Sequence, residues 1–335
     1  MAEAPKTLDQ IAIAQQISIN LNTTLIFGES GTAKSTNIGF EAERIFRETG
    51  KITRIVYGDL GGDPYRHLIL AGIVNQVRIS ALEKPMLALR RLSKGWWPTD
   101  PKKPNQLQDP GTTDWSKIGM YGNEGLTCFG DIILRWLRLG GKSLSQDPNY
   151  SIQEKDELTG MQETFYGSNM SYYGFIQDTL FELVANFAQL PIQRVIWSAL
   201  EARGEDQTSG ETVIGPALAG KKAGPKVPSW VGDCLHFDLA PPVKDPKTPK
   251  PTDILMQYRA YFINHQDKKT LIPYKCKPRV PARQFLELLK RWPEGWFPLE
   301  LDGGLDRFLK MEEDLVRAGA EQAQAPVAPA AVKQS

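Results

Sequence analysis

Apolar and polar positions alternate so as to divide the chain into a regular succession of strands and helices. TTLIF at 23–27 is a continuous apolar run with β-branched and aromatic side chains, the pattern of a buried strand. From Lys34 to about Thr49, Ile38, Ala42, Ile45 and Phe46 recur at helical spacing, and Gly50 stops the helix. ITRIVYGD supplies a second strand and GGDP a sharp turn. Strand, glycine turn, helix and strand make a βαβ unit, whose crossover is expected to be right-handed.

The pattern continues with a short strand at VRI, a strand in WSKIGMYGNEGLT and a helix in DIILRWLRLGG. Phe175, Thr179, Leu183 and Phe187 recur every four residues in the clearest later helix. QRVIWSALEAR begins as a buried strand and ends in charge, and DCLHFDLA is another strand. YRAYFIN and TLIPYKCKPRV read as a late β-hairpin around NHQDKK, and two terminal helices follow. The expected fold is α/β, a mainly parallel sheet core flanked by helices. A core over 20–280 carries polar insertions near 95–115 and 141–160. It is preceded by an extension at 1–19 and followed by a helical extension at 281–317 and a disordered tail at 318–335.

Composition narrows the class. The 335 residues, 41% of them hydrophobic, suffice for one large domain or two small ones. A net charge of +1 gives no global basic excess, which leaves only a local positive face for nucleic acid. The three cysteines are widely spaced and suggest a reducing compartment. No signal-peptide core and no run of about eighteen apolar residues is present, so a cytoplasmic protein is expected.

The candidate chemistry begins at GESGTAKS, residues 28–35, between the first strand and first helix. It follows the phosphate-loop pattern of a P-loop NTPase, G-x-x-x-x-G-K-[ST], except that Ala33 replaces the second glycine. Backbone amides of Gly28, Glu29, Ser30, Gly31, Thr32 and Ala33 would wrap a phosphate. Lys34 would reach the β- and γ-phosphates, Ser35 would hold Mg²⁺, and Thr36 is the next polar residue of the helix. A methyl at Ala33 costs little if the backbone there is right-handed, so the expected difficulty is steric crowding of the phosphates. ATP and Mg²⁺ are the expected cofactors.

Hydrolysis also needs acids. Asp59 and Glu124 each follow a strand, and parallel strands bring such ends to one edge of the sheet. Glu124 is assigned to the Mg²⁺–water shell and Asp59 to polarising water, roles that are interchangeable at this stage. Ser198 and Glu201 end a further strand, where a polar side chain can sense the γ-phosphate or simply begin a loop.

Four blocks together resemble a known family. The phosphate loop, NEGLTCFGDIIL, the stretch ending SALEARGED, and ETVIGPALAGK with PSWVGDCLHFD are similar to phage RecA-like ATPases of the Sak4 type, described as an AAA family. The resemblance covers roughly residues 20–280. It implies a RecA-like core, ATP binding, assembly as a homo-oligomer, and a role in phage DNA recombination or single-strand annealing with phage or host recombination and replication proteins. It places Glu124 at the family's acid before the LT block and the second acid near Asp59. It also points to Lys275 and Lys277 as basic fingers completing a neighbouring subunit's site. Their bland alternative is a solvated strand edge. Single-stranded DNA contacts are sought in the loop holding Lys221, Lys222 and Lys226 and at Trp96, Trp97 and Trp230, although tryptophan more often packs in a core. A non-hydrolysing nucleotide-dependent module, or a phage scaffold keeping the fold, is the competing reading.

Overall fold

A computed structural model describes residues 22–58, 64–79, 82, 84–100, 103, 105–139, 151–155, 162–166, 172–206, 209–218, 224–243, 255–267, 270–278, 280, 282–299 and 304–324. The chain opens with β1 (Thr23–Phe27), α1 (Lys34–Thr49), β2 (Ile52–Tyr57), α2 (Arg66–Leu70) and β3 (Val74–Arg78). Next come α3 (Pro85–Ser93), the short pair β4 (Trp97–Pro98) and β5 (Leu107–Gln108), β6 (Ile118–Glu124) and α4 (Leu126–Leu139). A hairpin of β7 (Ser151–Lys155) and β8 (Gln162–Tyr166) precedes α5 (Tyr172–Ala188), β9 (Arg194–Ala199), β10 (Glu201–Glu205) and β11 (Thr212–Pro216). The chain continues through β12 (Asp233–Val243), β13 (Leu255–Tyr261), β14 (His265–Gln266), β15 (Pro273–Tyr274), α6 (Ala282–Arg291), β16 (Trp296–Leu299) and α7 (Leu305–Gln324).

The main sheet has eight strands in the order β16-β13-β12-β1-β9-β6-β2-β3. From β12 to β3 every neighbouring pair is parallel, while β13 and β16 extend the opposite edge antiparallel. This is an α/β fold with a mostly parallel central sheet flanked by helices. One face packs Ile26, Ile55 and Leu235 against Ile38, Ala42 and Ile45 of α1 and Phe308 and Leu309 of α7. The other packs Leu25, Phe27, Val195 and Trp197 against Phe129 and Ile133 of α4 and Phe175, Leu180 and Phe187 of α5. Burial on both faces explains why these strands read as unbroken apolar runs.

Three elements differ from the sequence reading. YRAYF does not pair with the late lysine-rich segment. It lies between β12 and β16, and the late hairpin is only β14 with β15. That hairpin belongs to a second sheet, β10-β11-β15-β14, standing at the exit of β9. The C-terminal extension contributes the edge strand β16 as well as helices, and α7 runs on to Gln324. A buried charge cluster fixes α7 to the core. Arg44 of α1 donates to both Glu41 oxygens at 2.7 Å, and Glu313 of α7 pairs with Arg44 and with Arg194 of β9.

Candidate phosphate-binding site

The loop between β1 and α1 lies at the carboxyl edge of the parallel sheet, where β1 sits between β9 and β12. Strands that leave β1 on both sides open a crevice at that edge, the usual ligand position in such sheets. Gly28 is required by close approach, because a Cβ there would lie 2.2 Å from the Phe237 carbonyl oxygen of β12. Gly31 has φ 83°, and glycine adopts this left-handed region without strain. Glu29, Ser30 and Gly31 are exposed, whereas Thr32 is buried and donates its hydroxyl to the Glu29 carbonyl at 2.9 Å.

Ala33 carries a correction. Its backbone is left-handed, φ 62° and ψ 24°, not right-handed. The departure from the glycine pattern is therefore a conformational cost, on the order of 1–2 kcal/mol for an L-residue. No side chain caps the start of α1. The first N–H groups of a helix lack internal acceptors, so this uncapped start suits an anion. Lys34 folds back over the loop and donates to Gly28 O at 2.9 Å, Glu29 O at 2.6 Å and Thr32 Oγ1 at 3.2 Å. Burial pushes its ammonium down to about 8, while Glu201, Glu124 and Glu29 pull the other way. An anion in the loop would favour the charged form and offset the hydration lost on burial.

The acids stand as follows. Glu124 ends β6, is 9% exposed, and accepts a short hydrogen bond from the Tyr65 hydroxyl. Its negative charge favours the charged form of Lys34. Ser35 and Thr36 occupy the first turn of α1, half-buried and exposed respectively. Ser198 is buried on β9 beside β1 and accepts the Gly125 N–H at 3.0 Å, tying β9 to the residue after Glu124. Asp59 lies outside the described residues, as do Lys221 and Lys222. No cluster of three or more metal-ligating side chains occurs among the described residues. A serine hydroxyl with one carboxylate instead fits Mg²⁺, which is held largely by phosphates and water.

Glu201 belongs to the site's surroundings. It begins β10, and its Oε2 lies 2.9 Å from His236 Nε2. Together with Glu29, Ser30, Arg203, Asp267 and Tyr274 it lines a cavity of about 690 Å³ beside the loop. Sequence reading missed Tyr65, which lies in no motif, and His236, which lies within the PSWVGDCLHFD block but had no role there; the fold brings both to the site.

Lys275 and Lys277 are not two neighbours on one strand face. Lys275 pairs with Asp206 of its own chain at 3.0 Å, and its N–H bonds to Ile214 of the small sheet. Lys277 lies beyond β15, bridges Cys234 of the main sheet, and donates Nζ to Val231 O at 3.0 Å. Among the tryptophans, Trp97 is buried, with the Arg54 guanidinium 4.9 Å from its ring centre. Trp96 packs on the core, and Trp230 meets Phe181 edge to face at 5.6 Å. None of the described helices is long and apolar enough to cross a membrane.

No protein-family model matches the chain, and no curated protein matches it. Among solved structures it is similar to the RadB recombinase, at 11% identity and a TM-score of 0.39, over 85% of this chain and 90% of that one.

Proposed function

We propose that the chain is a RecA-like, Mg²⁺-dependent ATPase that binds ATP on residues 28–36. The observation carrying this reading is the loop itself: an uncapped helix start with Lys34 lodged on loop carbonyls and the Glu124 carboxylate nearby. Lys34 exchanges its neutral acceptors for phosphate oxygens and offsets their charge. Backbone amides at the start of α1 fix the phosphates, and Ser35 turns its hydroxyl to Mg²⁺. When bound, ATP would supply the transferable phosphoryl group and Mg²⁺, held by Ser35 and Glu124, would offset the charge on its oxygens. Glu124, held by Tyr65, orients water for in-line attack, with Asp59 as the exchangeable partner in that role.

The finer reading is a phage recombination or single-strand annealing protein of the Sak4 type, acting as a homo-oligomer on single-stranded DNA with phage or host partners. The sequence blocks SALEARGED and IGPALAGK support it. In that reading Lys275 leaves Asp206 and acts with Lys277 on a nucleotide held by the neighbouring subunit.

ATP turnover with and without single-stranded DNA tests both levels. DNA-stimulated turnover is the expected result. Turnover indifferent to DNA would remove the recombination reading and leave an ATPase. Binding without turnover would favour a non-hydrolysing module, which the strained Ala33 also favours.

A further inference from the structure

Asn37 lies one turn into α1 and is 1% exposed. Its side-chain nitrogen donates to the Ala33 carbonyl at 3.0 Å, and its backbone N–H donates to the same oxygen at 3.1 Å. On its other side, Oδ1 accepts the Leu305 N–H at 3.3 Å. Leu305 opens α7 and is fully buried, as are Phe308 and Leu309. The preceding amide, Gly304 N–H, is taken by Asp306 Oδ1 at 2.8 Å. One side chain therefore spans the gap between the phosphate loop and the first turn of the C-terminal helix.

Peptide planarity gives this bridge a consequence. The Ala33 carbonyl and the Lys34 N–H belong to one rigid plane and point in opposite directions. Holding the carbonyl fixes the direction of the N–H at the uncapped helix start. That plane also belongs to the left-handed Ala33, whose strained conformation needs support from its surroundings. An anion drawing on the Lys34 N–H would orient the same plane and so strengthen the Asn37 contact.

We propose that Asn37 is a positioning residue that couples the phosphate loop to the first turn of α7. Occupation of the loop and docking of residues 304–309 then stabilise each other, because linkage between two sites is reciprocal. The inference rests on the phosphate-loop reading above.

The test uses the full chain with Mg·ADP as probe. Backbone hydrogen exchange over residues 304–309 is measured with and without ADP, and ADP affinity is titrated for the wild type, Asn37→Ala and Asn37→Ser. In the wild type, ADP should slow exchange at Leu305. Asn37→Ala should weaken ADP binding by about fivefold or more, the low end of ordinary site coupling. A serine hydroxyl can still donate to the carbonyl four residues back, yet is too short to reach Leu305. Asn37→Ser should therefore lose the ADP effect on Leu305 and, because the linkage is reciprocal, bind ADP more weakly than wild type but more tightly than Asn37→Ala. A wild type that binds ADP with unchanged exchange at Leu305 would overturn the coupling and leave the phosphate loop standing. So would a folded Asn37→Ala that binds ADP at wild-type strength. If Asn37→Ala does not fold, the wild-type exchange experiment decides. A wild type that binds no nucleotide would overturn the phosphate-loop reading, and the coupling with it.

Discussion

Glu201 and His236 are joined side chain to side chain, Oε2 to Nε2 at 2.9 Å, although 35 positions separate them in sequence. His236 Nδ1 in turn lies 3.1 Å from His265 Nε2, and His265 Nδ1 lies 3.3 Å from the Ile263 carbonyl. Tyr274 stacks on His236 with centroids 3.9 Å apart. This stack backs the cavity wall beside the phosphate loop.

The stack predicts an acid-sensitive fold. Burial, and then the neighbouring His236, push His265 from its ordinary 6.5 down to about 4. Between those values the unfolded chain binds a proton that folded His265 does not, so stability falls as pH falls. The contribution is fully present above pH 6.5 and is lost on descending through pH 4. The urea midpoint of the wild type should drop between pH 7.5 and pH 5, and His265→Gln should drop less. Equal pH slopes in the two proteins would remove His265 as the cause.

Tyr65 and Glu124 predict a separation of binding from chemistry. Glu124→Gln should retain nucleotide affinity but lose turnover by about a hundredfold or more, the ordinary size of a lost acid–base contribution. Tyr65→Phe removes a donor to the Glu124 carboxylate and should lower turnover in the same direction, by less. Steady-state kinetics alongside equilibrium nucleotide titration reads both. Full turnover in Glu124→Gln would move the role to Asp59.

Ala33→Gly reverses the usual expectation for a residue at a helix start. Relief of the left-handed strain, about 1–2 kcal/mol, outweighs the added chain entropy, about 0.4–1 kcal/mol. The variant should unfold at slightly higher denaturant and bind nucleotide at least as tightly as wild type. A lower midpoint would show that Ala33 is not strained in the folded chain.

The parts legible in the sequence are those governed by local pattern. TTLIF and the helix after Lys34 carry a continuous apolar run and a helical periodicity respectively, and each forms as read. The parts not legible depend on distant partners. EARGE shows no apolar alternation and forms a strand only because TVIGP pairs with it. Trp97 reads as a loop aromatic, yet Arg54 and Tyr121, from two different strands, enclose it. Ala33 gives no sign of its torsion, since a left-handed alanine is a property of the turn that Gly31 and Thr32 build before it. Lys275 and Lys277 keep the spacing of strand neighbours, but the chain leaves the small sheet between them.

Nucleotide binding by Lys34→Ala tests the central claim most directly. Titration of Mg·ATP into the folded wild type and the folded variant, followed by calorimetry, compares them at one pH. The lysine is half-buried on loop carbonyls with its pKa lowered by burial to about 8, and a phosphate is a partner that would favour its charged form. The account predicts saturable binding by the wild type and at least about a tenfold loss in the variant, in keeping with a lost charge-assisted contact of about 1.5–3 kcal/mol. Equal affinity in the two proteins, or no binding by either, would contradict the assignment of residues 28–35 as a phosphate loop.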